Sequence, residues 1–224
     1  AHLRLAHGGL GAGERRLRRL HACVRHGNLL SGCARLARGK CGLGAGLLRQ
    51  RRLDGRLCTR HVAVGGIHAG LTPGRFCVPD QIIDYTHGRE TTFAEYNGKQ
   101  VAHLDFTWPY CDDMRERCME ALTQAGEDYL TGGVYAAVQG PRLETRAEIE
   151  RLARDGADMV GMTGMPEAYL AREIGLCYAA VAVSANWAAG RNDSAEGISP
   201  QVIEETLSKV MERMRTVLKN LAFM

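Results

Sequence analysis

The sequence GVYAAVQGPRLETRAEIERLARDGADMVGM, residues 133–162, contains the order of elements that predicts the architecture. It begins with an apolar run, and Gly140 then opens a turn. Thr145 and Glu148 have the spacing of a capping box, which predicts that a helix begins there. A second apolar run, 157–162, follows that helix. The order strand, helix, strand is typical of a sheet whose faces are covered by helices.

The same alternation extends in both directions from this stretch. Strand and helix patterns follow one another from His61 to the end of the chain. Because such alternation favours a largely parallel sheet, we predict a single α/β domain over 61–224, a mostly parallel mixed sheet flanked by helices. Its other predicted elements are extended chain over 75–86 interrupted at Pro79, a helix over 110–126, a helix opened by Pro166 and Glu167, a strand over 176–185 and a helix over 200–220.

The first sixty residues differ from the rest in charge and composition. They hold thirteen Arg, one Lys and two acidic residues, whereas residues 61–224 hold fifteen basic and twenty-three acidic residues. Residues 1–60 also contain no Ile, Phe, Tyr, Trp, Met or Pro. A segment nearly devoid of β-branched and aromatic residues has little from which to build strands, so we treat 1–60 as an atypical segment.

Three interpretations of this atypical segment stay open. It is a disordered basic arm, a tail that binds nucleic acid through its arginines, or the product of a reading-frame shift in a GC-rich gene. Its eleven glycines favour disorder, and thirteen Arg beside one Lys favour the frame shift. No aromatic residue interleaves the charges, so nucleic acid is the least favoured partner.

Composition disfavours several other classes of protein. The chain has no run of eighteen apolar residues and no apolar region of a secretory signal, so we expect a cytoplasmic protein without a membrane partner. Its eight cysteines include no C-x-x-C pair and no spacing typical of His and Cys metal ligands. We therefore expect reduced, mostly packed thiols, no metal and no cofactor.

Polar side chains lie at or shortly after the ends of three of the predicted strands. They are Glu144, Thr163 and Asn186. Taken singly, Glu144 also fits an acid at a helix N-terminus, Thr163 an N-cap-like residue, and Asn186 a turn residue. In parallel sheets, ligands bind outside the carboxyl ends of the strands, so we expect the three side chains to meet at one sheet edge.

A family resemblance rests on VYAAVQGPRLETRAEIERLARDGADMVGMTGMPEAYLAREIGLCYAAVAVSANWAAG, residues 134–190. It combines the motifs G-P-R-x-E-[ST] and G-M-[ST]-x-x-P-E with a following strand that ends in Asn. This combination resembles the purine nucleoside phosphorylase and methylthioadenosine phosphorylase family, and most of all its S-methyl-5'-thioinosine phosphorylase branch. VAVGGIHAG, CVPDQIIDYT and HLDFTWPY extend the resemblance over roughly residues 62–220.

The resemblance implies phosphorolysis of a purine nucleoside, with inorganic phosphate as co-substrate and no metal. It implies that Asn186 contacts N7 and O6 of a 6-oxopurine and stabilises the departing base, while Glu144 accepts the N1 proton. It further implies that Met162 packs under the ribose and that Thr163 and the backbone of Ala63 bind phosphate. The remaining residues that it places around the base are Leu143, Trp187 and Ala188.

The resemblance also implies a homotrimer, and it leaves other points open. The chain has no His after His103, which favours a 5'-methylthio group over a free 5'-hydroxyl. An inosine or guanosine phosphorylase and a catalytically dead member with a basic arm remain as alternatives. The glycine-rich phosphate loop and the Arg-His pair of the family have no secure match, although HGGLGAGE (8–15) and Arg25-His26 resemble them in part.

Overall fold

The computed structural model describes residues 57–93 and 103–223. Within these residues the chain forms seven strands and four α-helices. The strands are β1 (Leu57–Gly66), β2 (Phe76–Val78), β3 (Gln81–Asp84), β4 (Tyr129–Thr131), β5 (Val134–Ala137), β6 (Met159–Gly161) and β7 (Cys177–Trp187). The helices are α1 (Asp112–Gln124), α2 (Arg146–Arg154), α3 (Glu167–Glu173) and α4 (Pro200–Phe223), with a 3₁₀ turn at Asn192–Ser194.

The strands form one sheet in the order β3-β5-β6-β1-β7-β2-β4. Four neighbouring pairs are parallel: β3 with β5, β5 with β6, β1 with β7, and β2 with β4. Two pairs, β1 with β6 and β2 with β7, are antiparallel. The prediction of a mostly parallel mixed sheet flanked by helices is confirmed.

Strand β7 lies near the centre of the sheet and packs on both faces. Its even-numbered residues Tyr178, Ala180 and Ala182 join a cluster that includes Ala168 and Ala171 of α3. Its odd-numbered residues, Ala179, Val181 and Val183, pack instead with α1 and α4. Because alternate side chains of a strand point to opposite faces, a central strand covered by helices on both sides needs a continuous apolar run. The sequence CYAAVAV supplies it.

The helices follow the predicted patterns closely. In α1 the buried residues are Met114, Cys118, Ala121 and Leu122, which the sequence places on one side of the helix. In α4 the apolar stripe is buried at Val210, Met214, Val217 and Leu221. The capping box of α2 is present in both directions, since Thr145 Oγ1 accepts from the Glu148 amide and Glu148 accepts from the Thr145 amide.

One assumption behind the expected meeting of Glu144, Thr163 and Asn186 is wrong, because the strands that precede them are not all parallel. Because β6 is antiparallel to β1 whereas β7 is parallel to it, β6 and β7 run in opposite directions. Hydrophobic patterns report burial and say nothing about strand direction, so the sequence could not show this. The pairing of β1 with β6 involves only Gly65 and Gly66 of β1, which keeps the end of β6 close to the end of β7.

The cysteines correct a second expectation. Cys111 and Cys177 form a disulfide with a Cα–Cα distance of 5.2 Å, which contradicts the prediction of reduced thiols for this pair. The two cysteines lie 66 residues apart, and folding alone brings the residue before α1 next to the start of β7. Cys58, Cys77 and Cys118 are buried thiols, as predicted.

The predictions for the atypical segment lie almost entirely outside the described residues. Residues 57–60 are the exception, because they form the start of β1 and pair with residues 177–180 of β7. Among the helices that the structure describes, none is both long and apolar enough to cross a membrane.

Candidate functional site

A β-bulge in β7 sets the position of Asn186. Val64 of β1 pairs with Ser184, but the next residue, Gly65, pairs with Asn186, so Ala185 is left without a partner on β1. A bulge re-aims the side chains beside it, and bulges are common next to active sites. Asn186, the polar residue near the end of this strand, therefore directly follows the bulge at Ala185. The apolar sequence pattern does not reveal this bulge.

Gly65 lies between the ends of β6 and β7. It pairs with Asn186 on one side and with Val160 on the other. The neighbouring atoms are close, since a Cβ on Gly65 would lie 3.2 Å from Val160 Cγ1 and 3.3 Å from Ala188 Cα. A larger residue would push these strands apart, so Gly65 keeps Asn186 near the end of β6.

Met162 contacts the turn that follows β5. Gly140 in that turn has φ +66°, and a Cβ there would lie 2.5 Å from Met162 Sδ. The residue before Met162 lies beside β1, because a Cβ on Gly161 would be 3.3 Å from the carbonyl oxygen of Ala63. The structure thus brings three predicted site segments together: Ala63 on β1, Met162 after β6, and the turn after β5.

Glu144 lies half-buried in the loop between Gly140 and α2. Burial, the largest influence, raises the pKa of its carboxyl above the ordinary value; Glu148 raises it further, whereas Arg142 lowers it. Raised carboxyl pKa values are common at functional sites, although ordinary ion-pair networks also shift pKa values. The side chain of the neighbouring Leu143 is 47% exposed.

Asn186 is hydrogen-bonded within its own strand. Its Nδ2 donates to the carbonyl oxygen of Trp187 at 2.6 Å, and the buried Ser184 hydroxyl donates to the Asn186 carbonyl oxygen at 3.1 Å. Trp187 and Ala188 are buried, so they support the strand end from within the core. The side-chain amide of Asn186 is therefore hydrogen-bonded to the backbone of Trp187. In the described part of the chain, no hydrogen bond links this amide to Glu144.

Thr163 is exposed at the turn between β6 and α3. Its backbone N–H donates to the hydroxyl of Tyr135 at 3.3 Å. Tyr135 is buried in β5, and Gly161 and Gly164 leave room for its ring, since a Cβ on either glycine would lie under 3.0 Å from Tyr135 atoms. The sequence analysis treats Tyr135 only as part of an apolar strand. Its hydroxyl is the signal that could have marked it, because a buried tyrosine hydroxyl usually has a hydrogen-bond partner.

Arg89 is a second residue that the sequence analysis missed. Its guanidinium donates to backbone carbonyls of Met162 and Met165 and to both carbonyl oxygens of Gln139. Nothing in the pattern THGRETTF marks one arginine as different from the others, so sequence reasoning had no signal for it.

Among residues 57–93 and 103–223 there is no group of three or more His, Cys, Asp or Glu side chains that could hold a metal ion. The partial matches to the phosphate loop and the Arg-His pair, residues 8–15 and Arg25-His26, lie outside the described residues. Within the part of the chain that the structure describes, the candidate site includes backbone groups, the half-buried Glu144 carboxyl, the Asn186 amide and the Thr163 hydroxyl.

Fold and site together define an α/β protein whose candidate ligand site lies where β1, β5, β6 and β7 end. Residues 62–222 match the Phosphorylase superfamily, and the chain belongs to that family. Among solved structures, it is similar to methylthioadenosine phosphorylase from Schistosoma mansoni in complex with adenine. That similarity has a TM-score of 0.70 at 27% identity and covers 75% of this chain and 64% of that one.

Several curated relatives share higher sequence identity. A probable S-methyl-5'-thioinosine phosphorylase of Pseudomonas syringae pv. tomato is 49% identical over 70% of this chain and 63% of its own length. The corresponding protein of Xanthomonas campestris pv. campestris is 52% identical over 62% of this chain and 56% of its own length. A 6-oxopurine nucleoside phosphorylase of Pyrococcus furiosus is 42% identical over 67% and 58%, respectively. The chain thus spans less than two thirds of the length of these relatives.

Proposed function

We propose that this chain carries the nucleoside-binding part of a purine nucleoside phosphorylase that acts on 6-oxopurine nucleosides. The preferred substrate in this proposal is S-methyl-5'-thioinosine, which inorganic phosphate splits into hypoxanthine and 5-methylthioribose 1-phosphate, a reaction of purine salvage. The observation that carries the proposal is that Gly65 pairs with Val160 and Asn186, which draws the ends of β6 and β7 together beside Ala63.

In this proposal Asn186 reads and stabilises the leaving base. Cleavage of the glycosidic bond leaves negative charge on the departing purine, and a hydrogen bond to N7 or O6 strengthens as that charge develops. An amide can donate and accept at once, which suits a protonated N7 beside a carbonyl O6. Support comes from the end of β7, where Asn186 is half-buried and held by a bulge. Substrate would replace its hydrogen bond to Trp187.

Glu144 supplies base specificity in the same proposal. An ionised carboxylate only accepts hydrogen bonds, and a 6-oxopurine offers an N1 proton that adenine lacks. Adenine would leave the carboxylate without its partner, which penalises adenine binding. Because burial raises the pKa of Glu144, we expect purine affinity to fall on acidification at a higher pH than it would with an exposed glutamate.

Phosphate would bind on the other side of the ribose from the base. The exposed Thr163 hydroxyl and the Ala63 backbone N–H are the proposed phosphate contacts, and Met162 would pack against the sugar. Support comes from the contacts of Gly161 with Ala63 and of Gly140 with Met162, which hold these residues near one another. The proposed reaction needs no metal or organic cofactor, because phosphate is the nucleophile and the Asn186 amide stabilises the leaving base.

A second candidate is the same chemistry on inosine or guanosine. The similarity to the 6-oxopurine nucleoside phosphorylase of Pyrococcus furiosus favours it, whereas the lack of a His after His103 favours the methylthio substrate. Rates of phosphate-dependent hypoxanthine release from S-methyl-5'-thioinosine and inosine, measured side by side, separate the two candidates.

A cytoplasmic homotrimer is part of the proposal. A nucleoside and inorganic phosphate are metabolites of the cell interior, and this supports the location. The trimer is what the resemblance to the family implies. Light scattering coupled to size-exclusion chromatography tests the trimer, and a monomeric mass for the active protein contradicts it.

The base-reading role is tested with Asn186→Asp. A carboxylate accepts from the N6 amine of adenine, so we expect the rate ratio of adenine to hypoxanthine nucleosides to rise at least about tenfold. Asn192→Asp is the matched control, because it introduces the same charge at an exposed position six residues away. An unchanged ratio in Asn186→Asp contradicts the role. Failure of the unaltered chain to release hypoxanthine from any 6-oxopurine nucleoside contradicts the proposed function itself.

A further inference from the structure

Arg89 directs all of its donor groups at two loops of the candidate site. Its Nε donates to Gln139 Oε1 at 3.2 Å, and Nη1 donates to the carbonyl oxygens of Met162, at 2.8 Å, and Met165. Its Nη2 donates to the carbonyl oxygens of Val138 at 3.2 Å and Gln139 at 3.0 Å. A guanidinium has five N–H groups in a fixed planar fork, and these contacts number five.

These contacts begin where the backbone pairing of β5 and β6 stops. The ladder between the two strands ends with Ala137 paired to Gly161, followed by one hydrogen bond from the Val138 amide to the Gly161 carbonyl. Beyond that point the chains diverge toward α2 and α3, and Arg89 joins them through side-chain hydrogen bonds. The loop after β5 leads to Gly140 and Glu144, and the turn after β6 contains Met162 and Thr163.

The turn after β6 is held from two directions. Its carbonyl groups at Met162 and Met165 point to Arg89, whereas the Thr163 N–H points to the Tyr135 hydroxyl. With its backbone groups engaged on both sides, the turn leaves the Thr163 side chain exposed. A hydroxyl on a backbone fixed in this way is preorganised for a ligand.

The charge of Arg89 is not cancelled by its hydrogen-bond partners. All five acceptors are neutral amide or carbonyl oxygens, and among the described residues no carboxylate forms an ion pair with it. This charge is partly removed from water and has no carboxylate of the described residues within salt-bridge distance, although it also interacts with the Glu167 carboxyl. Such a charge favours an anionic ligand nearby.

We propose that Arg89 is a positioning residue for the anionic co-substrate: it fixes the Met162–Thr163 turn against the loop after β5, and its charge attracts phosphate to that turn. This inference rests on the proposed phosphorolysis. It adds to that function a residue that touches neither the base nor the sugar. Positioning depends on the guanidinium fork, so lysine cannot replace arginine here even though it keeps the charge.

Three variants of the full chain test the proposal. Arg89→Lys keeps the charge and loses the fork, and Arg89→Met loses both. Arg213→Lys is the matched control. Arg213 lies on α4, and its guanidinium likewise donates several hydrogen bonds, to the Glu127 carboxylate and to the Gly74 carbonyl oxygen. We expect Arg89→Lys to raise the KM for phosphate at least about tenfold while the KM for nucleoside changes less than about twofold. Arg89→Met should raise the phosphate KM further.

The control separates positioning from general stability. Arg213→Lys should lower the melting temperature without changing either KM. Equal effects of Arg89→Lys on both KM values, or a phosphate KM in Arg89→Lys that matches the unaltered chain, overturn the proposal.

A measurement without catalysis distinguishes failure of this proposal from failure of the proposed function. Hydrogen exchange at the Thr163 and Gly164 amides should be faster in Arg89→Lys than in the unaltered chain and in Arg213→Lys. If the unaltered chain performs no phosphorolysis, the proposed function fails, while faster exchange confined to Arg89→Lys still supports the positioning role. Equal exchange in all three proteins overturns that role whether or not the chain is active.

Discussion

Helices α2 and α3 begin after site loops, but they begin in different ways. The start of α2 is stabilised by its own neighbours in sequence: Thr145 and Glu148 form a capping box, and Arg142 adds a salt bridge to Glu148. No side chain of the described residues caps the start of α3, and its first residue, Glu167, is largely buried against Arg60 of β1. The start of α2 is therefore stabilised by neighbouring residues at the exposed surface, whereas the surroundings of the start of α3 depend on packing against the sheet.

The two first-turn carboxyl groups show the consequence of this difference. Hydrogen bonds from Arg142 and from the Thr145 backbone lower the pKa of Glu148 to about 2. Burial raises the pKa of Glu167 to about 7, although Arg60 and Arg89 act in the opposite direction. One Glu167 oxygen, Oε2, is buried and accepts no hydrogen bond from the residues that the structure describes. Similar residues at similar helix positions therefore acquire opposite pKa shifts from local and tertiary surroundings.

The largest expected effect comes from adding a methyl group before α3. A Cβ on Gly164 would lie 2.7 Å from Cε1 of the buried Tyr135 ring and 3.1 Å from Ile82 Cδ1, and neither can move freely. We expect Gly164→Ala to lower the free energy of unfolding by about 3 kcal/mol in urea denaturation. In Gly140→Ala, before α2, the new methyl group would contact only the flexible Met162 side chain, and alanine would have to adopt a positive φ. We therefore expect this variant to lose about 1 kcal/mol in the free energy of unfolding. Equal losses would mean that the two turns are equally constrained.

The second prediction concerns the pH dependence of stability at Glu167. Its pKa is near 7 in the folded chain and near 4.5 in the unfolded chain, so the folded state holds a proton that the unfolded state has released between these values. The free energy of unfolding should therefore fall as pH rises from about 4.5 to 7, by about 2 kcal/mol from this group alone. Glu167→Gln should remove this fall.

Urea denaturation of both proteins at pH 5 and pH 8 measures the effect. The Gln variant keeps the shape of the side chain but has no proton to lose, so its stability relative to the unaltered chain should rise with pH. Parallel pH profiles would show that Glu167 is not perturbed by burial, contrary to the structure.

The contrast between the helix starts also explains what the sequence could predict. The capping box of α2 was predicted correctly because every partner lies within four residues of the others. The burial of Glu167 was not predictable, because Arg60 lies over one hundred residues earlier and reaches it only through the sheet. The same holds for the Cys111–Cys177 disulfide and for the Arg89 contacts.

For the candidate site, the sequence singles out residues but carries little information about their geometry. Glu144, Thr163 and Asn186 were found because each follows an apolar run, which is a local signal. The bulge at Ala185 and the opposite directions of β6 and β7 depend on strand pairing, and an apolar pattern carries no information about pairing partners. The roles of these three residues in binding and catalysis stay predictions.

The third prediction removes the local cap of α2. Thr145→Ala deletes the hydroxyl that accepts from the Glu148 amide at 3.2 Å. We expect a loss of about 1 kcal/mol in the free energy of unfolding, the usual contribution of an N-cap side chain. Thr145→Ser retains the cap and serves as the control, so its stability should stay close to that of the unaltered chain. A loss in the Ser variant as large as in the Ala variant would assign the effect to the methyl group instead.

The smallest expected effect comes from the charge at Glu148. Glu148→Gln keeps an acceptor for the capping box but loses the salt bridge to Arg142, whose side chain is 67% exposed. Because solvent screens exposed ion pairs, we expect a loss of about 0.5 kcal/mol or less at pH 7. The folded pKa is depressed, so the stability that this carboxylate contributes is present above about pH 4.5 and is lost as pH falls toward 2. The difference between the unaltered chain and the variant should therefore vanish near pH 2, opposite in direction to the effect at Glu167. If instead it persisted at pH 2, the loss at pH 7 would come from the geometry of the cap and not from its charge.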